Sequence, residues 1–161
     1  MLLLPVHQTR IADVVETYLG TPFHHRGRVP GVGLDCVGIL ICAARSLGVT
    51  YPDSIEYDRM PNSTVLLAGL RESLDECRGD SFAALDGQLM RGDVIVFWIS
   101  SVSKKPQHTG VFMEDGSFIH AVEYAPGTTR TELNCVMRTR FDPFWKARIC
   151  GAFHWGVKIR G

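Results

Sequence analysis

The pattern of apolar and polar positions divides the chain into a helical first half and a strand-rich second half. Apolar residues recur at helical spacing after Thr9, which is a plausible N-cap, again over residues 36–47, and again over 65–74. Gly20 and Gly48 are placed to end the first two helices. The second helix is apolar on most sides, which predicts a central, buried position.

Beyond residue 90 the pattern becomes that of strands. The predicted strands are residues 94–99, 111–113, 118–122, 131–137 and 151–159. The first is a continuous apolar run typical of a central strand, and a Glu-Asp-Gly-Ser turn between the second and third predicts a hairpin. A short helical turn is predicted at residues 142–145. Helices followed by an antiparallel sheet of about five strands constitute an α+β fold.

Composition narrows the class of protein. The chain has 161 residues, 45% of them hydrophobic, with 17 acidic and 17 basic side chains. These values predict a single globular domain over residues 1–161, and without a basic stripe no nucleic-acid partner is expected. The longest apolar run is too short for a membrane span. The apolar start lacks the basic region and cleavage site of a signal peptide.

The number and spacing of the cysteines predict a protein that folds inside the cell and binds no metal. They number five, an odd count without CxxC spacing, at positions 36, 42, 77, 135 and 150. A disulfide framework and a zinc ribbon are therefore not expected, and the chain is predicted to fold in a reducing cytosol. The alternative is a zinc site formed by some of His24, His25, Cys36, His108 and His120. These residues lack the spacing of known zinc sites, so no metal or other cofactor is expected.

A glycine-rich loop leads directly into Cys36 at the predicted start of the second helix. Asp35 is a good N-cap, and the unpaired N–H groups and dipole at a helix start favour an anionic sulfur. Gly31 and Gly33 let the backbone approach a substrate and offer N–H groups to an oxyanion. Cys36 is thus a candidate nucleophile. The alternative is a small apolar core residue, as predicted for Cys42 on the same helix.

Two histidines lie in the predicted hairpin. A cysteine nucleophile requires a base, and the base requires a polar partner that fixes its tautomer. His108 and His120 are candidates for these two roles, in that order. The alternative for each is a hydrogen-bonded histidine on a half-buried sheet.

Spacing alone does not bring the two histidines together. A two-residue turn at 115–116 would pair Val111 with His120 and leave His108 on the opposite face of the sheet. A catalytic pair therefore requires a longer loop, a β-bulge, or a position for His108 outside the regular strand.

Five sequence blocks, taken in order, resemble those of the NlpC-type cysteine peptidases, which are papain-like peptidoglycan endopeptidases. The blocks are Leu-Gly-Thr-Pro-Phe at 19–23, Leu-Asp-Cys-Val-Gly at 34–38, Arg-Gly-Asp-Val-Ile-Val-Phe at 91–97, His-Thr-Gly-Val at 108–111 and Phe-Ile-His-Ala at 118–121. The resemblance implies a papain-like fold, with Cys36 as nucleophile, His108 as general base and His120 as the residue orienting it. It also implies a bacterial stem peptide as substrate, often cut between γ-linked D-glutamate and a diamino acid.

Residues 27–35 resemble the branch of this family encoded with bacteriophage tails and gene transfer agents. That branch implies a tail-tip protein that opens the wall locally during DNA delivery, with other tail proteins as partners. The chain would be made in the bacterial cytoplasm without a signal peptide and incorporated into a particle tail. One departure from the family is Phe23, where many members have a tyrosine whose hydroxyl contributes to the site.

The irregular loop before Cys36 is predicted to line the substrate site. Its candidate substrate-binding residues are Phe23, His24, His25, Gly33 and Asp35. Two other functions stay open: a structural tail-assembly protein with weak or no activity, and a cell-wall amidase of another papain-like type. A lipid acyltransferase on a permuted scaffold is disfavoured, because its histidine would precede its cysteine.

Overall fold

The computed structural model describes residues 5–48, 53, 63–123 and 134–155. The helices are α1 (Pro5–Glu16), α2 (Cys36–Ser46), α3 (Ser63–Ser73), α4 (Phe82–Leu85) and α5 (Pro143–Lys146). The strands are β1 (Arg28–Val29), β2 (Gly33–Leu34), β3 (Asp75–Glu76), β4 (Val94–Trp98), β5 (Pro106–Met113), β6 (Ser117–Ala121), β7 (Val136–Arg140) and β8 (Ile149–His154). Within these described ranges, no helix is both long and apolar enough to cross a lipid bilayer.

Six strands form the main sheet in the order β3-β8-β4-β5-β6-β7, and every neighbouring pair is antiparallel. The predicted α+β layout is confirmed. The additional strand is β3, an edge strand of two residues, which is too short to produce a readable pattern. Strands β1 and β2 form a separate small sheet just before α2.

The sheet is covered on both faces. Val94 and Val96 of β4 belong to the apolar cluster that includes residues of α1, α2 and α3. Ile95 and Phe97 belong to a second cluster on the other face, with Leu85 of α4, and Trp145 of α5 packs against it. Two buried faces explain why β4 is a continuous apolar run rather than an alternating one.

The helix boundaries follow the capping signals, with one exception. α2 begins at Cys36 and ends before Gly48, which has φ +73°, as predicted. α1 begins at Pro5, so the prediction that Thr9 caps it was wrong. Proline suits the first turn of a helix because its φ is already fixed and its missing N–H is not needed there. Gly20, at φ +85°, lies in the turn after α1.

The last two strands differ from the prediction in their bounds, as does β5, which begins at Pro106 instead of residue 111. β7 spans Val136–Arg140 instead of residues 131–137, of which 131–133 lie outside the described residues. Arg138 and Arg140 are exposed on this edge strand, in alternation with the less exposed Met137 and Thr139. β8 starts at Ile149, earlier than predicted, and residues 156–159 again lie outside the described part. The predicted helical turn at residues 142–145 is confirmed as α5, which is capped by Asp142.

Candidate active site

Cys36 is the first residue of α2, and Asp35 caps that helix. Oδ1 of Asp35 accepts a hydrogen bond from the Gly38 N–H at 2.8 Å, while the Asp35 backbone is extended. The predicted cap is therefore confirmed. The first turn of α2 also packs against the preceding loop, because a Cβ at Gly38 would overlap the carbonyl oxygen of Gly27.

The Asp35 carboxylate ties the loop to the helix. Its Oδ2 accepts from the Arg26 N–H at 2.9 Å, and its Oδ1 lies 3.1 Å from Nη1 of Arg28. Arg28 also pairs with Asp53 at 3.1 Å. Both oxygens of Asp35 thus bind donors of the protein itself, and these bonds set the position of the backbone that leads into Cys36.

The other predicted substrate residues lie in this same loop. The Phe23 N–H donates to the carbonyl of Asn134 at 2.8 Å, and the Phe23 ring packs against the core. Gly33 is buried against His24. A side chain at Gly33 would place its Cβ 2.7 Å from the Cβ of His24. His24 is exposed, with Nδ1 2.9 Å from the His25 carbonyl oxygen. Substrate binding by these residues and by Asp35 stays a prediction.

The β5–β6 hairpin brings the two histidines onto one face. Met113 pairs with Ser117, so the loop is the three residues 114–116, ending at Gly116 with φ +77°. One extra loop residue shifts the register relative to a two-residue turn, and His108 and His120 then project from the same side. The hairpin therefore has the longer loop that a catalytic pair requires.

The two histidines form a relay with a third residue. Nε2 of His108 lies 2.8 Å from Nδ1 of His120, and Nε2 of His120 lies 2.7 Å from Oγ1 of Thr139. Within the described residues, Nδ1 of His108 makes no hydrogen bond. If each Nε2 carries the proton, the relay donates from His108 to His120 to Thr139. Nδ1 of His108 is then an unprotonated base.

Cys36 meets β5 at the residue that follows His108. Oγ1 of Thr109 donates to the Cys36 carbonyl at 3.4 Å, and backbone and side-chain hydrogen bonds from Thr109 favour the Cys36 thiolate. The peptide unit that joins His108 to Thr109 therefore lies against the sulfur.

The resting thiol is protonated. Burial, followed by the Asp35 carboxylate, raises the pKa of Cys36 to about 11 despite the hydrogen bonds from Thr109 and Val37. This differs from the expectation that the helix start alone would favour a thiolate, because Cys36 is only 8% exposed. Burial also raises the pKa values of Cys77 and Cys150 to about 11.

The two imidazoles are neutral. Burial lowers the pKa of His108 to about 4, and burial followed by the neighbouring His108 lowers the pKa of His120 well below its usual value. A neutral His108 can accept the thiol proton as the sulfur attacks, so the site does not need a preformed thiolate.

Two residues of this site were not predicted as site residues. Thr139 lies beyond the end of the predicted strand, although the alternation over residues 136–140 was a usable signal. The Trp145 ring packs 6.1 Å from the His108 ring and 5.2 Å from the His120 ring, between centroids. Trp145 was predicted as part of a helical turn.

Helices packed on an antiparallel sheet, with a buried cysteine at a helix start and two hydrogen-bonded histidines on neighbouring strands, give the chain a cysteine peptidase-like fold. The chain belongs to the NlpC/P60 family, whose sequence profile matches residues 20–153. No curated protein sequence matches the chain significantly.

Solved structures share this fold at low sequence identity. NlpC2 from Trichomonas vaginalis is 20% identical with a TM-score of 0.66, over 94% of this chain and 47% of that one. An NlpC/P60 family protein from Bacillus cereus is 21% identical with a TM-score of 0.62, over 92% and 40%. The NlpC/p60 domain of the peptidoglycan hydrolase SagA is 20% identical with a TM-score of 0.58, over 91% and 97%. The chain therefore spans less than half of the first two proteins and nearly all of the SagA domain.

Proposed function

We propose that this protein is a cysteine peptidase that cleaves an amide bond in the stem peptide of bacterial peptidoglycan. The observation that carries the proposal is the relay from His108 through His120 to Thr139, with Cys36 held against Thr109, the residue that follows His108. Membership of the NlpC/P60 family supports the reaction class. The description of SagA, which shares the fold, as a peptidoglycan hydrolase supports the substrate class.

In the acylation step, the sulfur of Cys36 attacks the amide carbonyl while the thiol proton moves to Nδ1 of His108. The resulting imidazolium donates through Nε2 to His120, which stabilises its charge. The N–H of Cys36, at the first position of α2, has no intrahelical partner and stabilises the oxyanion. His108 then protonates the departing amine, and a thioester to Cys36 remains.

In the deacylation step, neutral His108 removes a proton from water, which attacks the thioester. The C–S bond breaks, the new carboxyl group leaves, and His108 returns the proton to Cys36. His120 and Thr139 hold the base in one tautomer through both steps.

Digestion of purified peptidoglycan tests this proposal. Wild type, Cys36→Ser and Cys42→Ser are incubated with walls of several chemotypes, and the products are identified by mass spectrometry. Cys42 is a matched control, because it is a buried thiol of the same helix that bonds the Arg28 carbonyl, away from the relay. We expect new stem-peptide fragments with wild type and Cys42→Ser only.

The other outcomes contradict the peptidase. Cleavage between sugar and peptide would identify an amidase. A lack of cleavage on every wall would contradict the peptidase and favour a structural protein.

We propose further that the protein acts in the tail of a phage or phage-like particle. It would be made in the bacterial cytoplasm and would open the wall locally during DNA delivery. The loop sequence at residues 27–35 supports this role, and Phe144, which is 53% exposed, offers an apolar contact to a neighbouring tail protein. Mass spectrometry of purified particles from a producing strain should detect the chain. Its absence from particles that retain their other tail proteins would refute the role.

A further inference from the structure

A second group of chemically reactive side chains lies at the far end of β4 from His108. One donor atom each from Cys77, Asp93 and His154 lies within 4.8 Å of the other two. Asp93 directly precedes β4, whereas Phe97 near its other end pairs with His108. At about 3.3 Å per residue, the two sites are separated by roughly 13 Å along this strand.

The imidazole of His154 is held between a carboxylate and a thiol. Its Nδ1 lies 2.8 Å from Oδ1 of Asp93, and its Nε2 lies 3.4 Å from Sγ of Cys77. With the ring proton on Nδ1, Asp93 accepts it, and Nε2 directs a lone pair toward the sulfur. The Cys77 S–H proton then occupies the space between the two donor atoms.

A metal ion fits in place of that proton. Tetrahedral zinc, with sulfur at about 2.3 Å and nitrogen at 2.0–2.1 Å, spaces these two ligands about 3.5 Å apart. The observed 3.4 Å is close to this spacing, so Cys77 and His154 could supply two of the four ligands. A carboxylate on the other ring nitrogen is the usual outer partner of a metal-bound histidine.

The surroundings also favour a cation. Cys77 and Asp93 are 5% and 0% exposed, so a thiolate and a carboxylate would share a buried region. The charged groups that act on the Cys77 thiol, Asp93 and Glu76, are both acidic. The side chain of His154 is 32% exposed and leaves a route from solvent.

We propose that Cys77 and His154 bind a zinc-type divalent cation at this edge of the sheet, with Asp93 fixing the histidine. On binding, the S–H bond breaks, a metal–sulfur bond forms, and the proton leaves to solvent. The ion would cross-link the segment after β3 to the end of β8, and Asp93 would link both to β4. It takes no part in the hydrolysis at Cys36.

Cobalt(II) substitution tests the site through the charge-transfer absorption of a cobalt–thiolate bond. The background is Cys36→Ala without an affinity tag, so that the active-site thiol and tag histidines cannot contribute. We expect this protein to bind one Co²⁺ with a thiolate band and to release it to excess Zn²⁺. Cys77→Ser should abolish the band, and Asp93→Asn should weaken the affinity roughly 10- to 100-fold.

Cys150→Ser is the matched control, because Cys150 lies on β8 and its Sγ contacts the Val96 carbonyl at 3.6 Å instead of a histidine. It should retain the band in the same background. His154→Gln is a second variant, whose loss of the band would repeat the result without altering a cysteine. The proposal is overturned if the Cys36→Ala protein shows no cobalt–thiolate band, or if the band survives Cys77→Ser.

Discussion

Thr139 is the part of the proposed catalytic relay that isosteric substitution can test most directly. Thr139→Val keeps the shape of the side chain and removes the hydroxyl that lies 2.7 Å from Nε2 of His120. His120 is only 1% exposed, so water cannot replace that partner. A buried polar atom without a partner costs about 1–3 kcal/mol, and we expect the free energy of unfolding to fall by this amount.

The effect on activity depends on the direction of the relay. If His120 donates to Thr139, as the mechanism requires, valine leaves a buried N–H unpaired and weakens the support of the His108 imidazolium. A loss of about 1–3 kcal/mol in the transition state corresponds to a decrease in kcat of roughly 5- to 150-fold, with KM little changed. If Thr139 donates instead, stability falls but kcat should not.

The assay is cleavage of an isolated stem-peptide substrate, with urea unfolding measured on the same preparations. Thr139→Ser retains the hydroxyl and should stay close to wild type in both measurements. An unchanged kcat in Thr139→Val, accompanied by lower stability, would refute Nδ1 of His108 as the base. If neither quantity changed, the relay to Thr139 would itself be refuted.

Three further predictions concern stability. Asp35→Ala should lower the free energy of unfolding by about 1–2 kcal/mol through the helix cap alone, and Asp35→Asn by less, since asparagine also caps; urea denaturation measures both. Gly38→Ala should cost roughly 1–3 kcal/mol because the new Cβ overlaps the loop backbone. Gly69 lies in a helix and has nothing within 4 Å of an added Cβ, so Gly69→Ala should not destabilise the protein. Equal thermal midpoints for Gly38→Ala and Gly69→Ala would contradict the close packing at Gly38. Because the pKa of His108 falls from 6.5 to about 4 on folding, the unfolded chain binds more protons between these values. The contribution of neutral His108 to the free energy of unfolding should be fully present above about pH 6.5 and decrease as the pH falls toward 4. If the urea midpoint of His108→Gln depended on pH as steeply as that of wild type, this prediction would be wrong.

The elements with strong local signals could be predicted from the sequence. α2 has an aspartate cap, an apolar face and a closing glycine, and each agrees with the structure. β4 was recognisable because a strand buried on both faces is continuously apolar. β3 was not, because its two residues pair with β8 through contacts that no local pattern encodes.

The site was predictable in its residue types and less so in its geometry. Cys36, His108 and His120 stand in recognisable sequence blocks, but their hairpin register depends on one loop residue. Thr139 contacts His120 because β6 pairs with β7. Trp145 contacts His120 because α5 packs over the sheet. Neither contact has a local sequence signal. The raised pKa of Cys36 depends on burial by the whole fold, which opposes the local effect of a helix start.

The length of the three-residue loop at 114–116, which joins β5 to β6, matters more than the length of most surface turns. Surface loops ordinarily tolerate insertions and deletions, because their length changes little besides the entropy of closure. Here a deletion of one residue would reverse the face on which His120 lies relative to His108, without altering either side chain. In protein engineering, this turn should therefore be excluded from tag insertion, circular permutation and loop shortening as strictly as the proposed catalytic residues are excluded from substitution.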